Sequence, residues 1–273
     1  MGIAIIVSKK DQAGMNIKRC LLDLFPFRKT DQTFDTNEVY ENNNIRLYTV
    51  EKETIYCENV DTIPADMIVF ATKHQSASGI HSLSVHAPGN WGIAEFGGRD
   101  RQLCVSPARY LKAAMIALSK NAGELKYEII QECTHHGPLL TKPCFFIEIG
   151  SALSEWTNRE AGEAIAKTIM QVLTVDVPAA RAAVGVGGLH HTPNFKDIII
   201  NSDIAVGHVC PKYNLAYLNK DMLRQAIEKT EEKVVLILVD WKGLGTEKER
   251  IMGFVKEVSQ ELGIRWMKTK ELK

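Results

Sequence analysis

The chain has 273 residues, 45% of them hydrophobic and 24% charged, which is the composition of an ordinary globular protein that needs no disulfide or metal to hold its core. Its 33 Lys and Arg residues balance its 33 Asp and Glu residues, so bulk charge indicates no nucleic-acid partner, and such a partner would require a local basic patch. No apolar run approaches the roughly 18 residues of a membrane span, so we expect no membrane partner.

The cysteines and the first residues indicate a cellular compartment. None of the six cysteines has C-x-x-C spacing, and the opening segment Met-Gly-Ile-Ala-Ile-Ile-Val lacks the basic region and the cleavage site of a signal peptide. We therefore expect a cytoplasmic protein with reduced thiols.

The first half of the chain predicts strands that alternate with helices. Residues 3–7 form an apolar run that predicts a strand, and Ile17, Cys20, Leu21 and Leu24 then follow at helical spacing. Residues 28–44 are polar and contain Asp-Thr-Asn and Asn-Asn-Asn, which predicts a loop. After that loop we predict a hairpin formed by residues 45–50 and 54–57 and a buried strand at residues 67–70.

The second half continues the alternation. Pro107 opens a predicted helix that ends at Asn121-Ala122-Gly123. Thr157-x-x-Glu160 and Thr246-x-x-Glu249 have the spacing of capping boxes and predict two further helix starts. Strands are predicted at residues 128–130, 144–149, 182–186, 234–239 and 264–267.

Alternating strands and helices, without a repeat or a linker, predict one α/β domain over residues 1–273. We expect a three-layer α/β/α sandwich with a mixed, largely parallel sheet and a small hairpin region inserted at about residues 28–60.

All eight histidines lie between His74 and His208, in four segments flanked by Gly or Pro. Histidine titrates near neutrality, binds zinc and donates hydrogen bonds to phosphate or carbonyl oxygens. Several of these segments follow predicted strands, and ligands of open α/β sheets bind beyond the carboxyl ends of strands. The sequence therefore predicts one shared site, formed by the segments at residues 73–90, 133–138, 187–193 and 207–208.

Three chemistries remain open for such a site. Histidines from separate loops, with Glu132 or Cys133 nearby, could bind a catalytic zinc. A neutral histidine could instead activate water, while the Gly187-Gly188 turn donates to an oxyanion. The third possibility is plain substrate binding, with Lys73 and Asn90 as donors. The sequence has no H-E-x-x-H or other spacing diagnostic of zinc. It also lacks Walker and G-x-G-x-x-G motifs, which argues against nucleotide hydrolases and nicotinamide enzymes.

Serine and cysteine residues near the histidines are candidate nucleophiles, but both kinds have simpler explanations. Ser82 and Ser84 alternate with apolar residues, which predicts a strand with one polar face that places Ser84 and His86 on the same side. Cys133 follows an apolar strand, where a small buried thiol is the commoner arrangement.

The histidine segments, taken with their neighbours, resemble the D-aminoacyl-tRNA deacylases of the archaeal and plant type. The resemblance covers nearly the whole chain in order. Cys133 stands where the family pattern has Ala and His191 where it has Tyr, so neither is expected to be essential. The matching motifs are Lys73-His74-x-Ser76-x-Ser78-Gly79, Ser82-Leu83-Ser84-Val85-His86-x-Pro88-Gly89-Asn90, Thr134-His135-His136-Gly137-Pro138, Phe146-Ile147-Glu148-Ile149-Gly150-Ser151 with Glu155-Trp156, Gly187-Gly188-x-His190, and Gly207-His208 with Pro211-Lys212-Tyr213.

The resemblance implies an enzyme that hydrolyses the ester between a D-amino acid and the terminal ribose of tRNA. It also implies zinc as cofactor, a fold similar to those of peptidyl-tRNA hydrolases and purine nucleoside phosphorylases, and tRNA rather than DNA as partner. The expected catalytic residues are His74, His86, His135, His136 and His190. The expected substrate-binding residues are Lys73, Asn90, Gly187, Gly188, His208 and Lys212, and the expected metal ligands are His86, His136 and Glu132.

Two other functions remain as alternatives: a nucleoside- or nucleotide-binding module with a phosphorylase-like fold, and a metal-dependent amidohydrolase or peptidase. A neutral chain can hold tRNA only through a local field. That field would be supplied by one basic face, whose candidate members are Lys9, Lys10, Lys18, Arg19, Arg99, Arg101, Arg109, Lys112 and Lys212.

Overall fold

The computed structural model describes residues 2–76 and 79–272, so Ser78 of the first histidine motif lies outside the described residues. The strands are β1 (Ile3–Ser8), β2 (Arg28–Phe34), β3 (Asn37–Asn42), β4 (Ile45–Val50), β5 (Met67–Gln75), β6 (Ser82–His86), β7 (Glu128–Gln131), β8 (Cys144–Ser151), β9 (Arg181–Val186), β10 (Ile204–Cys210), β11 (Val234–Val239) and β12 (Arg265–Lys268). The helices are α1 (Gln12–Leu24), α2 (Ala108–Asn121), α3 (Leu153–Trp156), α4 (Arg159–Thr174), α5 (Pro193–Asn201), α6 (Lys220–Glu228) and α7 (Lys248–Leu262).

The strands form two sheets. The larger sheet has the order β2-β3-β4-β1-β5-β8-β6-β7, and its centre from β4 to β8 is parallel. Strand β6 runs antiparallel to β8 and parallel to β7. The smaller sheet, β10-β9-β11-β12, is entirely parallel. The predicted α/β class with a mixed, largely parallel sheet is confirmed, whereas the division into two sheets was not predicted.

Helices fill the space between the sheets. One apolar cluster joins Ile5 of β1, Ile17 of α1, Leu118 of α2, Ile165 of α4 and Val206 of β10. Helix α2 contacts β6 and β7 of the larger sheet and β10 of the smaller one. Burial of these side chains therefore ties the two sheets into a common core.

The opposite face of the larger sheet is covered by short irregular segments. Ile6, Phe70 and Phe146 pack there with Val60 and Ile63, which belong to the stretch that follows β4. That stretch contains 3₁₀ turns at Thr54–Tyr56 and Glu58–Thr62. Because the described residues place no long helix on this face, there is room for a cavity above the strands.

The region after α1 differs from the prediction. Residues 28–44 are not a loop, because β2 and β3 pair as an antiparallel hairpin. Every side chain of β2 is exposed or half-buried, so the strand lacks the apolar alternation that would reveal it. Asp35 and Thr36 turn the chain with positive φ angles of 47° and 64°. Strand β4 lies at the predicted position, but the second predicted arm of its hairpin is the 3₁₀ turn Thr54–Tyr56.

Both predicted capping boxes are wrong. Asn158 caps α4, where its side chain accepts a hydrogen bond from the Ala161 N–H at 3.0 Å. The Thr157 hydroxyl donates instead to the Leu153 carbonyl of α3. Thr246 lies inside the 3₁₀ turn Gly245–Glu247, and α7 begins only after that turn.

All six cysteines are free thiols in this structure. Among the described residues, no helix combines the length and the apolar character that crossing a bilayer requires.

Candidate active site

Three adjacent strands of the larger sheet carry polar side chains on the face that lacks long helices. The Thr72 hydroxyl of β5 donates to Glu148 Oε1 of β8 at 2.7 Å. His74 Nδ1 of β5 lies 3.6 Å from Glu148 Oε2, and His86 Nε2 of β6 lies 3.8 Å from Glu148 Oε1. Glu148 is therefore the centre of a buried polar row across β5, β8 and β6.

His74 and His86 lie within strands rather than in loops beyond them. Strand β5 continues to Gln75, and β6 ends at His86 itself. Because β6 is antiparallel to β8, the carboxyl ends of β6 and β5 point to opposite edges of the sheet. For these two residues, the expected convergence at a common edge is wrong, and they meet on a common face instead.

Two loops add the remaining histidines. The loop after β7 carries Glu132, His135 and His136, and the loop after β9 carries His190. His190 Nε2 donates to Glu132 Oε2 at 2.8 Å, and Glu132 Oε1 lies 3.2 Å from His74 Nδ1.

Ring distances connect the five predicted catalytic histidines. The ring centroids of His86 and His135 are 4.4 Å apart, those of His135 and His136 4.3 Å, those of His135 and His190 4.5 Å, and those of His74 and His190 5.8 Å. The five side chains therefore lie in one continuous cluster.

The two carboxylates of the cluster are buried but ionised. Burial on its own raises the pKa of Glu132 and of Glu148. The hydrogen bond from His190 to Glu132, and the proximity of His74 and His86 to Glu148, outweigh burial and hold both pKa values well below their ordinary value.

Two of the histidines balance these negative charges. Burial lowers the pKa of His190, but its hydrogen bonds with Cys133 and Glu132 raise it to about 10. Burial also lowers the pKa of His74, and contacts with Glu148 and Glu132 raise it above its ordinary value. The surroundings of both histidines thus favour their protonated form beside the two carboxylates.

His135 and His136 behave differently. Burial lowers the pKa of His135 well below its ordinary value, and burial together with the neighbouring His86 lowers that of His136 to about 4. Both rings are therefore neutral at physiological pH. His136 also has a φ of 47°, a left-handed conformation that costs a non-glycine residue roughly 1–2 kcal/mol.

His86, His135 and His136 share a hydrogen-bonding pattern that suits a metal. Their Nδ1 atoms face the backbone carbonyls of Ala87, Cys133 and Gly137 at 3.3, 2.9 and 2.7 Å. If each Nδ1 donates its hydrogen, each Nε2 carries a free lone pair. The three rings can offer ligand atoms within 4.8 Å of one another, and His86 Nε2 is buried without a hydrogen-bond partner. These residues therefore fit a zinc ion.

Glu132, the third predicted metal ligand, lies in a different potential ligand group. Its carboxylate clusters with His74 and Glu148, whereas the group that contains His86 and His136 is completed by His135.

Two adjacent cavities share His135, His136 and His190 of the cluster as lining residues. The larger has a volume of about 660 Å³ and is lined by Asp11, Glu53, Thr54, Ile55, Tyr56, Thr72, Lys73, His74, Gln75, Phe96, His135, His136, Phe146, Glu148 and His190. The smaller has a volume of about 350 Å³ and is lined by Gly89, Asn90, Trp91, Gly92, Ile93, Glu95, Phe96, His135, His136, His190, Tyr213, Asn214 and Tyr217.

The predicted substrate-binding residues divide into two sets. Lys73 lines the larger cavity and Asn90 the smaller one. Gly187, Gly188, His208 and Lys212 line neither cavity.

Gly187, Gly188 and His208 contact other parts of the protein. The Gly187 N–H already donates to the Cys210 carbonyl at 2.8 Å, and Gly188 lies against Asp240. His208 is fully buried, with both ring nitrogens bonded to protein atoms. The glycine turn therefore has no free N–H donor at Gly187. His208 has a structural position, in contrast to the substrate-binding role that the sequence predicted.

Glu148 and Tyr213 were not assigned roles from the sequence. A carboxylate inside the otherwise apolar β8 was the signal for Glu148, since an unpaired charge in a buried strand is costly. Tyr213 accepts a hydrogen bond from His190 Nδ1 at 3.0 Å and lies 3.2 Å from Cys133 Sγ. Nothing in the spacing of the sequence indicates that contact.

Cys133 and His191, which depart from the family pattern, border the cluster. Cys133 Sγ lies 3.5 Å from His190 Nδ1, and the His191 ring centroid lies 5.6 Å from those of His74 and His190.

The predicted basic face is only partly available to a ligand. Arg109 donates to the carbonyls of Val177 and Pro178, and Lys112 donates to those of Ile199 and Ser202, so both are held within the protein. Arg99 is exposed, and Arg101 belongs to the same loop, which borders the smaller cavity.

Comparison with known proteins gives consistent matches. A family model described as D-aminoacyl-tRNA deacylase matches residues 62–266. The chain is 38% identical over 272 residues to the D-aminoacyl-tRNA deacylase of Pyrococcus furiosus, covering 97% of this chain and 98% of that protein. It is 34% identical over 285 residues to that of Methanosarcina mazei, covering 99% and 93%. A crystal structure of a conserved protein of unknown function superposes with a TM-score of 0.91 at 29% identity, covering 100% of this chain and 96% of that one.

Proposed function

The chain belongs to the D-aminoacyl-tRNA deacylase family, and from this premise we propose that the histidine cluster is where its reaction takes place. The activity is hydrolysis of the ester that joins a D-amino acid to tRNA, which releases both. The prediction of this activity from the sequence is confirmed. The location of the site, the cofactor and the role of each residue are our proposals.

One observation supports this location above the others: the cluster of five histidines and two buried carboxylates supplies His135, His136 and His190, which line two adjacent cavities. The larger cavity, of about 660 Å³, lies within the range of roughly 300–1,000 Å³ that is usual for small-molecule sites. A neutral imidazole can accept a proton from water and a charged one can donate to an oxyanion, and both actions assist hydrolysis of an ester.

We assign zinc to His86, His135 and His136, in place of the set that included Glu132. The support is the common Nδ1 contact with a backbone carbonyl and the lowered pKa of His135 and His136, which keeps both rings unprotonated. Zinc bound there would act as a Lewis acid toward water and the ester carbonyl.

His74 is placed to stabilise the charge that develops on the ester carbonyl oxygen. Its Nδ1 faces Glu132 and Glu148, which fixes the ring. The residue lines the larger cavity, and its buried Nε2 has no hydrogen-bond partner. In its protonated form the ring has one N–H left to donate to the substrate.

Glu132 and His190 hold the other side of the cluster. Glu132 accepts from His190 Nε2, and His190 Nδ1 donates to the Tyr213 hydroxyl. Both ring nitrogens of His190 are thereby occupied, so we assign His190 to positioning the site. We further propose that the protein works in the cytoplasm, where charged tRNA is found.

The function is tested by incubating the purified protein with D-tyrosyl-tRNA and with L-tyrosyl-tRNA. Release of D-tyrosine without release of L-tyrosine is the expected result. A protein with bound zinc that releases neither amino acid contradicts the proposed function.

Metal removal tests the cofactor. If zinc is required, a chelator abolishes hydrolysis, zinc restores it, and circular dichroism stays unchanged because a core of this size folds without metal. Full activity at a zinc content near zero would contradict the assignment and would favour a histidine acting as general base.

A further inference from the structure

Exposed apolar side chains gather around the smaller cavity. Ile93, Phe96, Tyr213 and Tyr217 all line it and are all well exposed, Phe96 at 61% and Tyr217 at 40%. Large apolar groups that form an exposed patch beside a cavity usually mark a contact surface. Exposed aromatic rings are also the groups on which single-stranded nucleobases stack.

The two cavities differ in the carboxylates that line them. Asp11, Glu53 and Glu148 line the larger one together with Lys73, His74 and His190, and Lys73 Nζ lies 3.8 Å from Glu53 Oε1. Among the described residues that line the smaller cavity, the carboxylate is that of Glu95 alone.

One arginine lies beside the smaller cavity. The loop that lines this cavity continues to Arg101, whose Nη1 donates to the carbonyl of the lining residue Tyr217 at 3.2 Å. The larger cavity therefore supplies carboxylates for an ammonium, and the smaller one supplies aromatic faces and a nearby guanidinium for a planar group joined to an anion.

The boundary between the cavities is formed by the candidate catalytic cluster. His135, His136, His190 and Phe96 line both cavities. A substrate that spans both must therefore pass the histidines at its middle.

We propose that the substrate spans both cavities in one fixed orientation, a proposal that rests on the proposed function. The D-aminoacyl group occupies the larger cavity, where its ammonium can pair with a carboxylate. The 3′-terminal nucleotide of tRNA occupies the smaller cavity, where its base stacks on Tyr217 and Phe96. The order of parts in the substrate, from ammonium through ester and ribose to base, then matches the order of carboxylates, histidines and aromatic rings.

The opposite direction loses these contacts. A nucleotide in the larger cavity would place its phosphodiester near the carboxylates of Asp11, Glu53 and Glu148 and would leave the exposed ring of Tyr217 without a base to stack on. An ammonium in the smaller cavity would find Glu95 alone among the described lining residues.

Isothermal titration calorimetry with two fragments tests the direction. One fragment is the trinucleotide CCA, which has the base and ribose but no amino acid; the other is D-tyrosine amide, which has the ammonium but no nucleotide. Tyr217→Ala should weaken binding of the trinucleotide roughly 5- to 100-fold, the range of one base stack, and leave binding of D-tyrosine amide unchanged. Glu53→Gln should weaken D-tyrosine amide and leave the trinucleotide unchanged.

Tyr56→Ala is the matched control for Tyr217→Ala, since Tyr56 is similarly exposed but lines the larger cavity and not the smaller one. It should leave trinucleotide binding unchanged. The Tyr217 ring packs on Gly92, so a second variant guards against misfolding. Ile93→Asp places a negative charge at the smaller cavity and should also weaken the trinucleotide alone.

Three results overturn the proposal: no trinucleotide binding by the wild type, trinucleotide binding that withstands both Tyr217→Ala and Ile93→Asp, or a larger effect of Tyr217→Ala on D-tyrosine amide. The last would mean that the aromatic cavity takes the amino-acid side chain. The titrations need no turnover. A protein that binds both fragments as expected but releases no D-amino acid contradicts the proposed function alone, and one that releases it without these effects contradicts the direction alone.

Discussion

Glu148 shows how a single buried charge organises the site. It lies in the middle of β8 among apolar neighbours, where an unpaired carboxylate would cost several kcal/mol. Thr72 donates to one of its oxygens, and His74 and His86 approach within 4 Å from the strands on either side. The charge is thus tolerated because each adjacent strand supplies a partner, and the same partners form the wall of the cavity.

The role proposed for His74 predicts a kinetic effect. Glutamine at this position keeps a hydrogen-bond donor toward Glu132 and Glu148 but has no second donor at the position of Nε2. For His74→Gln we expect kcat on D-tyrosyl-tRNA to fall roughly 10²- to 10³-fold, the usual cost of losing an oxyanion donor. Steady-state kinetics measure this, with KM nearly unchanged.

The matched control is His81→Gln, because His81 is an exposed histidine that lines neither cavity. It should retain wild-type kcat. A folded His74→Gln variant with kcat within about 3-fold of wild type would show that His74 is not the donor.

From the surroundings of His208 we expect the free energy of unfolding to depend on pH. The Thr134 hydroxyl donates to its Nδ1 at 3.0 Å, and its Nε2 donates to the Cys104 and Lys229 carbonyls. Burial lowers its pKa to about 4, from an ordinary value of 6.5. The folded state therefore favours the neutral ring, and the stabilisation is present above pH 6.5 and is lost as pH falls toward 4.

His208→Gln removes this titration. The stability difference between wild type and variant should shrink by about 2–3 kcal/mol between pH 7 and pH 4, as measured by urea unfolding at each pH. A difference that stays constant over this range would mean that His208 does not titrate on unfolding.

At the scale of elements, local hydrogen bonds decide where helices begin. Residues 157 and 158 both precede α4, and both are residue types that cap helices. The Thr157 hydroxyl is used by α3, whose Leu153 carbonyl it meets at 2.9 Å, so Asn158 is left to cap α4. The preceding helix therefore shifts the start of α4 by one residue from the predicted capping box.

This assignment predicts unequal effects of two neighbouring alanine substitutions. Asn158→Ala should lower the free energy of unfolding by about 1 kcal/mol, because the Ala161 N–H loses its partner. Thr157→Ala, at an exposed position, should lower it by less than about 0.5 kcal/mol. Denaturant titrations of the two variants measure the difference, and a larger loss for Thr157→Ala would restore the capping box.

At the scale of the whole molecule, the two sheets share one apolar core. The cluster that contains Ile5 of β1 also contains Val206 of β10 and Leu238 of β11, so side chains of both sheets are buried together. The cavities also depend on both sheets, since His190 follows β9 while His74 and His86 lie on β5 and β6. We therefore propose that the chain behaves as a single cooperative unit.

Native-state hydrogen exchange tests this cooperativity. The slowest amides of β1 and β5 and those of β9 and β11 should exchange through the same global opening, with equal free energies and equal dependence on denaturant. A lower opening free energy for the β9–β11 group would show that the smaller sheet unfolds independently.

The sequence by itself determined the features that depend on local patterns. Apolar runs predicted β1, β4, β11 and most of the central strands, because a strand buried on both faces is apolar throughout. The ordered histidine motifs predicted the family and the set of histidines that cluster.

Only the tertiary structure decided the features that depend on distant partners. The sequence did not reveal β2 and β3, whose exposed side chains leave backbone pairing as their main stabilisation. It did not show that β6 runs antiparallel to β8, which brings His86 beside Glu148. It also did not reveal that Glu132 accepts a hydrogen bond from His190 or that both ring nitrogens of His208 contact protein atoms. Which ring nitrogen is free, and which carboxylate is paired, depends on contacts between residues far apart in the chain, and no local pattern encodes those contacts.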